Sequence, residues 1–385
     1  MTTTLRVVVD QIVAPVPGGI GRYTEELTRA IIDTAPDGCD VVGLVAASSP
    51  EDQERLRTLL PGLAELAVMP VPRRELALLW RLGLVGIPGT SMTGKGMVHA
   101  PSLLAPMRPH DRLNEVGTQT VATIHDVVPW THPETLTRYG AWWHKSMAKR
   151  AHRFADAVVV PTHAVAGKLN EMMDFGDRIR VIGGAVSSKL ALPVDADERA
   201  ERLGLPEQYI LSVGTLEPRK GLEPLIRSLA HADSVDLPLI IVGPEGWGDL
   251  DVASLAAEAG LEEGRVRALG FLADADLAVA IDRATVFAFP SLAEGFGLPV
   301  IEAFSFGTPV VHSDAPALVE IGADAGLIVE RADIESYPER LAEAISSVVG
   351  DSQLTERLHF SGLDRSQAFN WRNSAEKVWQ LHADL

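Results

Sequence analysis

Two glutamates bracket the start of a short predicted helix in the second half of the chain. Glu294 lies in a glycine-containing loop after the apolar run TVFAFP. Glu302 follows eight positions later and is predicted to lie on the first helical turn, which also contains Pro299. The loop and helix start offer backbone N–H groups, and the helix dipole favours negative charge there. This arrangement suits a polyhydroxylated, anionic ligand, because amides would hold phosphate or sugar oxygens and carboxylates would accept from hydroxyls. The residues alone leave a structural role for both glutamates open.

Two cations follow an earlier strand. Arg219 and Lys220 come after the apolar run YILSVGT and just before a helix that is expected to begin near Leu222. A pair of cations at a strand end can neutralise the charge of a departing diphosphate without a metal ion. Two solvated loop cations are the structural alternative.

A third group of polar residues lies in the first half. His125 and Asp126 end the run TVATIHD, at the edge of a parallel sheet where ligands bind. The helical stretch that follows is rich in aromatic and basic side chains, and aromatic rings stack on sugars, although at least one Trp is expected to pack in the core. His125 is therefore predicted to line a sugar pocket. The candidates for contact with a sugar acceptor are Asp126, Arg138, Tyr139, Trp142 and His144.

Two glycine-rich segments are candidates for phosphate binding. Gly18, Gly19 and Gly21 are predicted to lie in a loop before an amphipathic helix, where the backbone can approach a diphosphate, although the spacing is not G-x-G-x-x-G. Residues 89–95 match G-x4-G-K, but Gly96 stands where a P-loop has its hydroxyl. Residues 86–97 are therefore predicted to form a mobile loop near an acceptor.

Strand-like runs alternate with helical stretches along the whole chain, which predicts βαβ units and parallel sheets. The runs of the first half are 5–10, 40–46, 66–72, 97–101, 120–126, 156–162 and 179–184. An acidic, proline-containing stretch at 190–208 lacks a strand pattern, so a domain boundary is predicted near 196. Thr162 is expected to cap the helix that follows it.

Composition excludes several classes of protein. The chain has 385 residues, 46% of them hydrophobic, which is enough for two or three cored domains. A net charge of −18 argues against non-specific nucleic-acid binding. No apolar run is long enough for a membrane span, and the N-terminus lacks the pattern of a secretory signal. The single cysteine, Cys39, excludes a disulfide framework, so a reducing cytoplasmic location is expected. No His or Cys cluster has metal-ligand spacing.

Several runs resemble a known family. EGFGLPVIEAFSFGTPVV resembles the E-x7-E signature of the retaining GT-B glycosyltransferases of family four, and GTLEPRKG resembles their pyrophosphate motif. TIHDVVP and GGIGRY have counterparts in the same family. The resemblance implies an α/β GT-B fold in which two Rossmann-like domains with parallel sheets face each other across a cleft. It also implies that the last helix crosses back, with an acceptor-side domain at 1–196 plus 371–385 and a donor-binding domain at 197–370.

The resemblance also assigns roles. Glu294 would contact the donor sugar, Glu302 the ribose, and Lys220 the diphosphate. Many members have Arg directly after the strand glycine; here that residue is Thr215, and Arg219 is expected to take its role. His125 completes the predicted catalytic set. The remaining donor contacts, most of them backbone groups, would come from Gly18, Gly19, Phe271, Leu272, Gly295, Phe296, Gly297 and Leu298.

The implied reaction is hexosyl transfer with retention and without a cofactor or metal. The runs resemble bacterial, in particular actinobacterial, GDP-mannose-dependent mannosyltransferases, including those that elongate methylmannose polysaccharide by α-(1→4) transfer. The expected partners are a nucleotide sugar and an oligo- or polysaccharide acceptor, and a homodimer stays open. Other open alternatives are a UDP-sugar-dependent glucosyl or N-acetylglucosaminyl transferase, a nucleotide-sugar 2-epimerase, a phosphorylase and a non-catalytic sugar-binding protein.

Overall fold

The chain forms two compact units. A computed structural model describes residues 3–15, 18–84, 96–111, 118–246 and 250–385. Unit 1 comprises Met1–Thr131, Arg138–Gly184 and Asn370–Leu385, and unit 2 comprises His132–Thr137 and Ala185–Phe369. Most of the loop predicted at 86–97 lies outside the described residues; its last two residues begin a strand.

Unit 1 is built on a seven-stranded, all-parallel sheet with the order β3-β2-β1-β4-β5-β6-β7. Its strands are β1 (Thr3–Val8), β2 (Cys39–Ala47), β3 (Glu65–Pro72), β4 (Gly96–Ala100), β5 (Thr118–Thr123), β6 (Ala157–Val160) and β7 (Ile179–Val181). Its helices are α1 (Gly18–Asp33), α2 (Pro50–Leu59), α3 (Arg73–Leu82), α4 (Val128–Thr131), α5 (Arg138–Phe154), α6 (His163–Met172) and the C-terminal α15 (Trp371–Asp384).

Unit 2 is built on a six-stranded parallel sheet with the order β10-β9-β8-β11-β12-β13. Its strands are β8 (Ile210–Val213), β9 (Leu239–Val242), β10 (Val266–Ala268), β11 (Val286–Phe289), β12 (Val310–Ser313) and β13 (Leu327–Val329). Its helices are α7 (Ala196–Leu203), α8 (Leu222–Ser228), α9 (Val252–Glu258), α10 (Asp274–Asp282), α11 (Leu298–Ser305), α12 (Pro316–Gly322), α13 (Tyr337–Gly350) and α14 (Ser352–Ser366).

The apolar strands are buried on both faces, as parallel sheets require. In β11, Phe287 and Phe289 belong to one buried cluster, whereas Val286 and Ala288 belong to the other. Successive side chains of a strand point to opposite faces, so one short apolar run supplies two cores. These two sheets confirm the predicted architecture of two Rossmann-like domains.

The C-terminal helix α15 packs in unit 1, as predicted. Asn370 caps it, the indole N–H of Trp379 donates to the carbonyl of Ile31 on α1 at 3.1 Å, and the Ser374 hydroxyl donates to the Gly183 carbonyl at 2.9 Å. Its residues contribute to the same apolar cluster as α1 and β1. The last helix is thus part of the first unit's core.

Two details differ from the sequence prediction. The units divide between Gly184 and Ala185, whereas composition pointed to 196, because Val186 and Leu190 pack against the core of unit 2. The glycines Gly18, Gly19 and Gly21, predicted to lie in a loop, instead belong to the beginning of helix α1. Among the described helices, none has the length and apolar character needed to cross a bilayer.

Candidate active site

The loop between β11 and α11 places the predicted donor-binding groups in unit 2. Gly297 precedes the helix with a φ of +108°, a conformation that glycine adopts readily, and a Cβ there would lie 2.6 Å from the Leu318 side chain. Helix α11 therefore begins at Leu298, with Pro299 in its first turn. Glu302 lies on the second turn rather than the first, and it is buried.

Glu294 contacts both predicted diphosphate-binding cations. Its Oε1 lies 2.6 Å from the Lys220 ammonium, and its Oε2 lies 3.4 Å from Nη1 of Arg219. The three side chains are at most 15% exposed. They are 74 or 75 residues apart in sequence, and the adjacent strands β8 and β11 bring their loops together. The structure thus unites three of the four residues predicted to be catalytic.

The groups around Glu294 keep its carboxyl group ionised. Burial alone would raise the pKa of this carboxyl, but the charges of Lys220 and Arg219 and the hydrogen bonds from Lys220 and Ser291 outweigh burial and lower it. Glu294 is therefore an anion at neutral pH, and it can accept hydrogen bonds from hydroxyl groups. Arg219 is also paired with Glu217, whose Oε2 lies 3.3 Å from its Nη2, so two carboxylates hold the two cations in place. Both cations can turn towards the oxygens of a diphosphate.

Ser291 was not predicted, yet it positions Glu294. This fully buried side chain donates to Oε1 of Glu294 at 2.6 Å, and its own carbonyl accepts a hydrogen bond from Ser313 on β12. The Leu292 N–H donates to the Arg219 carbonyl at 2.8 Å and joins the two loops. Ser291 could have been predicted from its position at the carboxyl end of a strand, three residues before Glu294.

Gly221 allows the loop that carries Arg219 and Lys220 to pass close to the backbone of Pro290. It has a φ of +68°, and a Cβ there would lie 2.2 Å from the carbonyl oxygen of Pro290. We expect Gly221→Ala to lower the free energy of unfolding by about 1–3 kcal/mol, since a backbone atom cannot move away cheaply. Chemical denaturation measures this change. Gly260→Ala is the matched control, because Gly260 has a φ of +74° with open space around it; an equal loss in both variants would contradict the role of the Pro290 contact.

The other predicted donor contacts lie in the same unit, except for two. Gly295 and Gly297 are buried, and Phe296 packs edge-on against Phe369 with ring centroids 5.8 Å apart. After β10, Phe271 is 74% exposed, whereas Leu272 is buried in the core. Gly18 and Gly19 belong to the first turn of α1 in unit 1.

A cavity of about 700 Å³ lies in unit 1. Its lining includes His125 and three of the five predicted acceptor residues, namely Asp126, Tyr139 and His144. Side chains outside the predicted set complete the lining, among them Gln11, Arg73, Arg74, Thr123, Trp130 and Trp143. Trp130 could have been predicted, because it lies in the TIHDVVPW run together with His125. Gln11, Arg73 and Arg74 could not, because the strands that precede them meet only in the folded sheet.

His125 is a hydrogen-bond donor through one nitrogen. Its Nε2 lies 2.7 Å from the Pro101 carbonyl, which can only accept, so Nε2 carries the proton. Burial lowers the pKa of His125 despite this hydrogen bond and the nearby charge of Asp126, so the ring is neutral and Nδ1 is an acceptor. Tyr23 packs edge-on against the ring at 4.8 Å. A neutral acceptor nitrogen suits a sugar hydroxyl.

Two predicted acceptor residues do not line the cavity. Arg138 is exposed at the start of α5, and Trp142 is 48% exposed with the Arg81 guanidinium 4.5 Å from its ring centroid. Trp143 lines the cavity instead, because it lies four residues after Tyr139 on one face of the helix. Asp126 also accepts a hydrogen bond at 3.0 Å from the N–H of Val128, the first residue of the short helix α4.

Each unit is matched by a model of a known protein family. The family model Glycosyltransferase Family 4 matches residues 17–189, and the model Glycosyl transferases group 1 matches residues 194–360. The O-antigen chain mannosyltransferase B of Escherichia coli is 31% identical over 275 residues, which are 66% of this chain and 68% of that protein. The chain belongs to glycosyltransferase family 4. A nucleotide-sugar donor and a carbohydrate acceptor are the substrates that this membership implies.

Other relatives of this family-4 glycosyltransferase differ in the reaction their names describe. D-inositol 3-phosphate glycosyltransferase of Nocardioides sp. is 31% identical over 79% of this chain and 65% of that protein. The MMP alpha-(1->4)-mannosyltransferase of Mycolicibacterium hassiacum is 27% identical over 69% of this chain and 66% of that protein. The serotype-specific mannosyltransferase WbdA of Escherichia coli is matched over only 33% of its own length, at 30% identity.

Solved structures support the fold. Sucrose-phosphate synthase of Thermosynechococcus elongatus aligns with a TM-score of 0.73 at 23% identity, covering 100% of this chain and 99% of that one. Anabaena HepE in complex with UDP and glucose aligns with a TM-score of 0.73 at 18% identity, covering both chains completely. At these identities the likeness concerns the fold alone, which is that of GT-B glycosyltransferases.

Proposed function

We propose that this family-4 enzyme is a retaining mannosyltransferase that moves mannose from GDP-mannose onto a hydroxyl of an oligo- or polysaccharide, without a metal or cofactor. The observation that carries the proposal is the buried cluster of Lys220, Arg219 and Glu294 at the start of α11. It offers two cations for a diphosphate beside one carboxylate for sugar hydroxyls. No other cluster in the described residues combines these features with the family's motif.

Each member of the cluster has one task in this mechanism. Lys220 and Arg219 stabilise the negative charge that develops on the diphosphate as the bond between the sugar C1 and its phosphate oxygen breaks. Glu294 accepts hydrogen bonds from the donor sugar and orients it. Backbone N–H groups of Gly297 and Leu298 hold further oxygens at the helix N-terminus, and Glu302 holds the ribose.

Retention follows from attack on the face that the leaving group vacates. The acceptor oxygen forms the new bond to C1, and its proton passes to an oxygen of the departing diphosphate, which leaves with the bonding electron pair. No general base from the protein is then required. The two cations matter twice, because they stabilise the diphosphate while it leaves and keep it in place as it takes the proton.

Mannose is favoured as the transferred sugar by the relatives. Three relatives are named as mannosyltransferases: the O-antigen chain mannosyltransferase B, the MMP alpha-(1->4)-mannosyltransferase and WbdA. A second candidate is supported by the D-inositol 3-phosphate glycosyltransferase, which aligns over 79% of this chain. In that case the acceptor would be a phosphorylated inositol, and the donor could be a UDP sugar.

A thermal-shift screen tests the donor. The protein is heated with GDP, UDP, ADP and their common sugars, first without metal and then with Mg²⁺. Binding to the native state raises the midpoint by an amount that grows with the logarithm of ligand concentration over Kd. We expect GDP and GDP-mannose to raise the midpoint in the absence of metal, and Lys220→Ala to reduce both shifts.

The outcomes separate the candidates. A shift with UDP compounds alone would overturn mannosyl transfer from GDP-mannose and favour the second candidate. A shift that requires Mg²⁺ would contradict the metal-free role of the two cations. Transfer is then measured with the selected donor, and NMR of the anomeric proton of the product reports whether configuration is retained.

A further inference from the structure

Two large aromatic side chains lie exposed on α5, beside the cavity of unit 1. Tyr139 is 66% exposed and Trp142 is 48% exposed, and their ring centroids are 5.7 Å apart with the planes tilted by 41°. Exposed neighbouring rings of this size commonly mark a binding surface. We call Tyr139 and Trp142 the aromatic platform.

The aromatic platform is continuous with the cavity. Tyr139 is a member of both, since it also lines the cavity. On the opposite side, Arg74 and Ala77 of α3 line the cavity, and Arg81 is seven residues after Arg74, which places it two turns further along the same helix face. The Arg81 guanidinium lies 4.5 Å from the Trp142 ring. Helices α3 and α5 therefore carry one surface from the cavity to the platform.

The chemistry of this surface fits a saccharide. A pyranose ring has an apolar face of C–H groups and a rim of hydroxyls, so aromatic faces and hydrogen-bond donors together match it. Arg74 and Arg81 form no hydrogen bond or ion pair with the described residues, so their N–H groups are available to hydroxyls. Arg73, by contrast, is held by Asp10 and Gln11.

We infer that the cavity and the aromatic platform form one acceptor site for a linear saccharide, with the reacting sugar in the cavity and a following sugar on Tyr139 and Trp142. The inference rests on the proposed function and deepens it, because it makes an extended saccharide the acceptor, rather than a single sugar or an inositol phosphate. Trp142, which does not line the cavity, thereby gains a role in recognising acceptor length.

Acceptor length is the variable that tests the inference. Transfer is measured with methyl mannoside, mannobiose and mannotetraose for the wild type, Tyr139→Ala and Trp142→Ala. We expect the wild-type kcat/KM to rise with length. The ratio of kcat/KM for mannotetraose to that for methyl mannoside should fall about threefold to tenfold in each variant, chiefly through KM. Trp142→Phe should recover part of the ratio, because it restores an aromatic face.

Phe360→Ala is the matched control. Phe360 is 57% exposed but lies in unit 2, so its removal should leave the length ratio at the wild-type value. A wild-type ratio that does not rise with length, or variants that keep the wild-type ratio, would overturn the inference. So would equally efficient use of D-inositol 3-phosphate that neither variant changes.

Two further measurements distinguish this inference from a failure of the proposed function and from binding of the platform to a membrane. If the wild type transfers sugar to no acceptor, the proposed function fails, and calorimetric titration of mannotetraose tests the surface without turnover. Weaker binding in both variants would then support the inference, and absence of binding in the wild type would overturn it. If both variants instead lose co-sedimentation with anionic vesicles while the length ratio is unchanged, the platform contacts a membrane and the inference is wrong.

Discussion

Replacing Lys220 by alanine is expected to lower kcat for sugar transfer by about a hundredfold to a thousandfold. The ammonium group lies 2.6 Å from Glu294 and beside Arg219, where the diphosphate is proposed to leave. Loss of one cation removes a stabilising interaction at the moment when negative charge develops. Arg219 stays 3.4 Å from Glu294, so the carboxylate keeps a partner and the fold should be retained.

Arg227→Ala is the matched control for Lys220→Ala. Arg227 lies on α8, one helix beyond Lys220, in an exposed ion pair with Glu223 that should contribute little. Initial rates with saturating donor give kcat for both variants, and circular dichroism reports the fold. Full activity of Lys220→Ala, or an equal loss in Arg227→Ala, would reject the assignment of Lys220 to the diphosphate.

Glu294→Gln should also lower transfer at least a hundredfold, but with an opposite effect on nucleotide binding. The neutral amide no longer holds the donor sugar as an anion does. It also ceases to compete for Lys220 and Arg219, so the net charge facing a diphosphate rises by one unit. We therefore expect GDP without sugar to bind several-fold more tightly to the variant than to the wild type.

Calorimetric titration of GDP into both proteins measures this difference. Weaker binding of GDP to Glu294→Gln would show that the carboxylate helps to hold the nucleotide rather than competing with it. The predicted pair of effects, lost transfer with tighter product binding, also distinguishes a site defect from general unfolding, which would weaken both.

The same substitution changes how stability depends on pH. The pKa of Glu294 in the folded chain is below its usual value of 4.5, so its ionised form stabilises the fold above that pH and this stabilisation is lost as pH falls through the folded pKa. The free energy of unfolding of the wild type should exceed that of Glu294→Gln near pH 7 by about 1–3 kcal/mol. The difference should shrink below pH 4.5; a constant difference would contradict the lowered pKa.

Features that depend on interactions between residues near each other in the chain were predicted correctly from the sequence. Thr162 was expected to cap a helix, and its hydroxyl accepts from the Val165 N–H at 3.2 Å. Gly307 directly follows the C-cap of α11 with a φ of +70°, the left-handed conformation in which glycine commonly ends a helix. The β-branched runs became buried parallel strands, since no other element buries such residues on both faces in so short a stretch.

Contacts between distant segments were beyond the reach of the sequence alone. The three glycines near the start of α1 predict a loop, but they form helical turns in the folded chain. Gln11, Arg73 and Arg74 join His125 in the cavity only because β1, β3 and β5 lie in one sheet. Helical spacing placed aromatic residues on α5, but only the packed helix distinguishes Trp143, inside the cavity, from Trp142 outside it.

Periodicity along the chain determined two parallel α/β units, and contiguous motifs determined the membership in a glycosyltransferase family. The resemblance to that family in turn implied that the last helix returns to the first unit. Only the tertiary structure decided that Glu294 contacts Lys220 and Arg219, that Ser291 holds it, and that Tyr139 joins the cavity to an exposed ring. These pairings depend on strand order and helix packing, which bring together residues that no spacing in the chain connects.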